Sequence, residues 1–308
     1  MAALLGNGAL AVLKGVAAVS TGSAAMLAET LHSVADTGNQ GLLFLGMRLS
    51  ERPPHRTHGF GHGKEVYFWA FVVAVMLFSL GGAFSIWEGA RKLVHGGRHE
   101  GSVGWSYAVL AGGFVFESIS LGVALHAFLK AKGNKALWRY WRDNRDPTLP
   151  TVVLEDTAAL LSLGAAATGI WLTQSTGSLA WDAGASVLIG VLLVFVAVVL
   201  ALENYSLLIG EATPATVEAK IRRVVRADED VTEVIDLRTM HMGPRDILVA
   251  LGVQFRRDLT TSQIEAAIIR LQHAIRETLN GATNASLILI EPTRPGANKS
   301  EAAPSDRR

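Results

Sequence analysis

Two runs of this sequence put ionisable residues inside otherwise apolar stretches. In LAETLHSVADTGNQ, His32 and Asp36 are four residues apart. On a helix that spacing gives one shared face and a separation of about 6 Å along the axis. Glu29 and Gln40 continue roughly the same stripe. In VVLEDTAALL, Glu155 and Asp156 are adjacent, so they point about 100° apart, one squarely toward the His–Asp pair and the other flanking it. An ionisable group within a membrane span costs about 2.5–3.5 kcal/mol on insertion scales, so such residues call for a purpose. One imidazole and two or three carboxylates make a donor set for a divalent transition metal, and Zn²⁺ accepts four ligands of these types. The competing reading is a His32–Asp36 hydrogen bond that joins helices. Acids on a second span weigh against it, because like charges in hydrocarbon need a counter-cation. Glu117 is read as a hydrogen-bond partner or proton carrier, and Asp182 as the cap of its own span.

A second cluster lies in PHRTHGFGHGKE, where His55, His58 and His62 are separated by three and four positions with glycines between. Such a loop can fold around a metal; the alternative is a solvated basic loop. The chain has no cysteine, which excludes disulfides, thiolate metal sites and a cysteine nucleophile.

The elements that must hold these residues follow from hydropathy. Half of the 308 residues are hydrophobic and the mean hydropathy is +0.31, too high for an ordinary soluble domain. Residues 1–208 carry 27 charges and residues 209–308 carry 28. A membrane-embedded first part followed by a soluble last third fits that split. Stretches of about 20 apolar residues predict six spans: Ala3–Ser20, Ser23–Leu49, Tyr67–Trp87, Gly104–Leu129, Leu149–Gln174 and Trp181–Leu202. The loops after the second and fourth spans carry ten Lys/Arg, against three on the other side. The positive-inside rule then puts both termini in the cytoplasm, and a bacterial inner membrane is the expected host. A net charge of +1 gives no reason to expect nucleic acid.

Beyond about Glu211 the texture changes. Pro214–Arg226 reads as an amphipathic helix, Val231–His241 and Ile247–Phe255 as strands joined across Gly243-Pro244, Thr260 to Leu279 as a capped helix, and Asn284–Ile290 as a last strand. The expected architecture is therefore an α-helical membrane protein of six transmembrane helices (1–208), a small cytoplasmic α+β domain of order αββαβ (209–292), and a disordered tail (293–308).

The runs GSAAMLAETLHSVADTGNQ, HGFGHGKEVYFW, VVLEDTAALL and LLIGEATP resemble the cation diffusion facilitator family, most of all the branch containing zinc transporter 9. The resemblance covers about Gly6 to Pro292, and HSVAD with GFGHGK is its more specific part. It implies a six-span homodimer with a metallochaperone-like cytoplasmic domain that exports divalent cations, Zn²⁺ first, in exchange for protons. By position it makes His32 and Asp36 transport-site ligands. Where the family has a second His and Asp pair, this chain has Glu155 and Ala159, with Asp156 one residue along to take over. Such a carboxylate-rich set also suits Mn²⁺, Fe²⁺ or Co²⁺. His58 and His62 match the histidines of the family's loop site, and His55 stands where an acid is usual. The positions of a binuclear zinc site on the strands of some relatives hold Ile235, Leu251 and Leu289, with Glu291 the one retained donor, so no equivalent site is expected there.

The implied mechanism is linkage. Metal and protons compete for His32, Asp36 and the fifth-span acid, and an imidazole takes its proton near physiological pH. A transport-inactive regulator of this fold is the main rival, and a proton-independent channel a weaker one. An enzyme is not expected, since HExxH, Gly-x-Ser-x-Gly and P-loop patterns are absent from the sequence.

Overall fold

The boundary between the first two helices is written in three residues. Gly22 takes a left-handed φ of 64°, which L side chains avoid, and its N–H closes the end of the first helix on the Ala18 carbonyl at 2.9 Å. Ser23 is extended and its side chain accepts from Met26 N–H at 3.1 Å, so the second helix starts at once. The computed structural model describes residues 2–96, 103–133, 148–244, 246–279 and 284–293. It divides into two units, residues 1–53 with 64–208, and residues 54–63 with 209–308.

Among the described residues the first unit is built of helices. It comprises α1 (Ala2–Thr21), α2 (Ala24–Ser50), α3 (Glu65–Met76), a π-helical stretch (Leu77–Ala83), α4 (Phe84–His95), α5 (Val103–Lys132), α6 (Thr148–Thr176) and α7 (Ala180–Ile209). Its interior is small and tight, with Ala17, Ala18, Ala25, Ala28, Ala35 and Ala166 packed among Met26, Leu77, Leu163, Ile170, Ile189 and Leu193. Large apolar side chains such as Val115, Ile119, Val123, Leu188, Phe195 and Leu202 face outward. Small residues inside and bulky aliphatics outside is the arrangement a lipid surround favours, because backbones gain contact by close approach.

Among the described residues four helical rods are long and apolar enough to cross a membrane: Glu65–His95, Gly104–Lys132, Thr151–Thr176 and Ala180–Ile209. The third expected span therefore runs longer than Tyr67–Trp87, through the π stretch into α4. α2 has the length, at 27 residues, but Glu29, Asp36, Asn39 and Gln40 dilute its apolar character. Of α1, Gly8–Thr21 is apolar but short. The π stretch is marked by Phe84 N–H reaching back five residues to the Ser79 carbonyl. It contains Gly82, which meets α7 backbone to backbone. A Cβ on Gly190 would stand 2.7 Å from the Gly82 carbonyl oxygen, and one on Gly82 would stand 2.6 Å from Val194 Cγ2.

The second unit contains α8 (Ala215–Arg226), β1 (Val231–His241), β2 (Asp246–Phe255), α9 (Thr261–Leu279) and β3 (Asn284–Pro292), the expected order αββαβ. The sheet order is β1-β2-β3, with β1 and β2 antiparallel and β2 and β3 parallel. Alternate β2 residues Ile247, Val249, Leu251, Val253 and Phe255 are buried. They join Ile221 and Val225 of α8 and Ala267, Leu271 and Ile275 of α9 in one core, so the two helices cover one sheet face. Thr260 caps α9 with Gln263: its N–H and hydroxyl both donate to Gln263 Oε1, at 2.8 and 2.9 Å. Residues 54–63 belong to this unit, with Gly63 lying against the turn after β1, where a Cβ would come 2.4 Å from the Met242 carbonyl oxygen. Of the expected tail, only Thr293 falls within the described residues.

Candidate metal centres

The period of α2 carries Glu29, His32, Asp36 and Asn39 to one side. His32 is buried to 1% exposure, and among the described residues neither ring nitrogen has a hydrogen-bond partner. Its Nε2 lies 3.5 Å from Asp36 Oδ2, and Asp36 Oδ1 is likewise without a partner. The pair is thus adjacent but not locked together. That argues against the simple helix-joining hydrogen bond and leaves lone pairs facing inward.

On α6 the two acids diverge as their adjacency requires. Glu155 turns to α2, where Asn39 Nδ2 donates to its Oε1 at 3.1 Å. Asp156 turns to α5, where the Ser120 hydroxyl donates to its Oδ2 at 2.8 Å. Both are buried. Glu117 is buried on α5, one turn before Ser120. His32 and Asp36 thus lie on the α2 face whose Asn39 meets Glu155 of α6, and Asp156 turns away to α5.

Sequence reasoning missed three participants. Asn39, rather than Gln40, reaches Glu155. Lys14, a charge inside the first expected span, is fully buried; its ammonium donates to Glu29 Oε2 at 3.0 Å and to the Ser33 hydroxyl at 2.7 Å. Asp182 caps a different helix from the one expected. It accepts from the Ser23 hydroxyl and from the Ala24 and Ala25 N–H groups at 2.7 and 3.3 Å, at the N-terminus of α2. Its own N–H is satisfied by Thr173 Oγ1 at 3.0 Å. A carboxylate suits either helix start, since both present unfilled N–H groups; the packing of α7 on the α1–α2 turn decides. Lys92 stands 3.9 Å from the same carboxylate and donates to the Gly22 carbonyl.

The loop histidines are more fully assembled. Among the described residues, His55, His58 and His62 are the one group of three or more histidines or acids whose ligand atoms all lie within 4.8 Å of one another. The backbones of His55 and His58 exchange two hydrogen bonds, at 3.2 and 2.9 Å, and Gly61, at φ 81°, turns the chain so that His62 returns. His62 Nε2 and His55 Nε2 are 3.0 Å apart. Thr57 Oγ1 sits 2.9 and 3.1 Å from the Nδ1 atoms of His55 and His58. Two ring nitrogens at 3 Å share a proton or a cation, and three imidazoles each offering a ring nitrogen within 4.8 Å of the others form a donor set that zinc accepts. His55 and His58 are exposed and His62 half-buried, so this centre is open to water while the α2–α6 group is not.

Residues 1–209 match the cation efflux transmembrane domain. The chain is 33% identical over 269 residues to the proton-coupled zinc antiporter SLC30A9, mitochondrial, of Mus musculus, covering 86% of this chain and 47% of that protein. It is 32% identical over 239 residues to metal tolerance protein C4 of Arabidopsis thaliana, covering 77% of this chain and 52% of the relative. It is 26% identical over 237 residues to the putative transporter MamV of Paramagnetospirillum magneticum, covering 76% and 66%. The chain spans about half the length of the first two relatives. With apolar rods, an inside-out bundle and a match across the whole helical part, this integral, multi-pass membrane chain belongs to the cation efflux (cation diffusion facilitator) family, near the SLC30A9 branch.

Proposed function

We propose that the chain exports a divalent cation, Zn²⁺ first, in exchange for protons, through a site made of His32, Asp36 and Glu155, with Asp156 at its edge. The observation that carries this reading is a buried imidazole whose two nitrogens have no hydrogen-bond partner among the described residues, 3.5 Å from Asp36 on the helix whose Asn39 holds Glu155 of α6. A group left this way in a membrane interior is destabilising unless something binds it. Lone pairs that accept a metal also accept protons, so loading one releases the other. Ligands on α2 and α6 let a small relative rotation change both access and coordination. The names of the relatives, a proton-coupled zinc antiporter and a metal tolerance protein, support cation and counter-ion alike. The carboxylate majority leaves Mn²⁺, Fe²⁺ and Co²⁺ as further cargo.

The proposal includes six spans, α1 and α2 counted with the four apolar rods. It places the basic loops and both termini on the cytoplasmic face. It also makes residues 209–292 a dimerisation domain of a homodimer, and the loop triad an auxiliary cation site. The test is uptake by reconstituted vesicles under an imposed pH gradient, comparing Zn²⁺, Mn²⁺, Fe²⁺ and Co²⁺. His32→Ala abolishes cation-driven proton flux and His58→Ala does not. Flux that persists in His32→Ala refutes the site; cation movement indifferent to the pH gradient refutes the exchange.

A further inference from the structure

The largest charged side chain buried in the bundle has no role in the reading above. Lys14 sits in α1 with no exposed surface. Its stem passes α5 at Gly113, where a Cβ would come 3.4 Å from Lys14 Cε, and α1 is brought close to α2 by Gly15, whose Cβ would lie 3.3 Å from Thr30 Cγ2. The ammonium reaches Glu29 Oε2 at 3.0 Å and Ser33 Oγ at 2.7 Å, while among the described residues Glu29 Oε1 has no hydrogen-bond partner. Glu29 precedes His32 by three positions, so it belongs to the same helical stripe as His32 and Asp36. Without Lys14 it would be one more bare carboxylate beside the ligand imidazole.

We propose that Lys14 is a specificity-determining residue of the transport site: by pairing with Glu29 it keeps that carboxylate out of the ligand set and so keeps the donor set short enough to favour Zn²⁺ over harder cations. The physics is a count of donors. Zn²⁺ is content with four ligands including nitrogen, whereas Mn²⁺ gains from each added carboxylate oxygen. A buried ammonium bound to one carboxylate is neutral as a pair, which is also the form the membrane interior tolerates best. The inference rests on the proposed transport site, and its test separates the two.

Three variants decide it, each assayed for Zn²⁺ and Mn²⁺ flux in vesicles and titrated with each metal by calorimetry after purification. Lys14→Met releases Glu29 and raises the Mn²⁺-to-Zn²⁺ ratio by at least about tenfold. Glu29→Gln leaves an ammonium without its counter-charge near the acids and raises KM for both metals by at least about tenfold, with their ratio unchanged. The double variant Lys14→Met/Glu29→Gln returns both measures to within about threefold of the wild type. A pair that only holds helices together would lower both fluxes alike in Lys14→Met, and an unchanged ratio overturns the proposal. If Lys14→Met alone does not fold, Glu29→Gln and the double variant still decide, because a double variant as defective as Glu29→Gln also overturns it. A wild type that moves neither metal refutes the transport reading instead, and the calorimetric ratios then judge Lys14 by themselves.

Discussion

Replacing Asp182 by asparagine tests how the ligand helix α2 is anchored. The carboxylate collects the Ser23 hydroxyl and the Ala24 and Ala25 N–H groups, and Lys92 lies 3.9 Å away. Asparagine has the same shape but keeps only one acceptor; its NH₂ turns a donor against either Ala24 N–H or the Ser23 hydroxyl. One buried hydrogen bond to a charged group is lost, worth about 1.5–3 kcal/mol, and the Lys92 ammonium loses its counter-charge. A scale of roughly 2–4 °C per kcal/mol for a unit of this size gives a fall in Tm of about 3–12 °C, measured on the purified protein in detergent or nanodiscs. Ser23→Ala removes the hydroxyl that links Asp182 to Met26 N–H and costs less, about 0.5–2 kcal/mol. The two losses are not additive, because they share that hydroxyl. A Tm for Asp182→Asn within about 1 °C of the wild type refutes the assignment of this carboxylate as the cap of α2.

Other outcomes follow from the same geometry. Asn39→Leu leaves the buried Glu155 without its donor at a cost of about 1–3 kcal/mol, and calorimetry should show Zn²⁺ binding weakened by about tenfold or more. Gly190→Val drives a Cβ to within 2.7 Å of the Gly82 carbonyl oxygen; neither backbone can yield, so the variant loses about 3 kcal/mol or fails to give a monodisperse peak. In the second unit, Arg270 donates to Asp228 through two nitrogens at 2.8 Å, and these bonds hold the Asp228 carboxyl below its ordinary value. The sign follows from linkage: the pair stabilises the fold above about pH 4, the unfolded carboxyl's value, and that contribution is lost as pH falls through the lower folded value. Acid unfolding followed by circular dichroism should therefore begin at higher pH in Arg270→Met, and an unshifted acid limb contradicts the assignment.

The sequence carried the local half of this site. Four-residue spacing put His32 and Asp36 on one face, and adjacency split Glu155 from Asp156; both hold because they depend on the period of a single helix. It did not carry which neighbouring helix each face meets. That Asn39 and not Gln40 reaches Glu155 depends on the rotation of α2 against α6. That Asp182 caps α2 depends on α7 lying beside the α1–α2 turn. Lys14 is a charge in an apolar span, and it makes sense only once its acid, 15 residues along the chain, is brought opposite by that turn. The second unit was more legible, since alternate burial in β2 and the stripe of α9 are written directly in residue type, and the capping pair Thr260 and Gln263 is local. The closure of the histidine loop on itself rests on Gly61 and its left-handed backbone, which residue type suggests but does not place.

The seating of Gly63 on Met242 bears on how the later part of the chain can be studied in isolation. A fragment starting at Ile209 would omit a ten-residue piece, 54–63, that packs with it although it is encoded some 150 positions upstream. The exposed turn would be left with a socket fitted to a residue lacking a side chain. Supplying that decapeptide separately, in the manner of fragment complementation, would reveal whether the piece is a ligand of the fold or only its passenger.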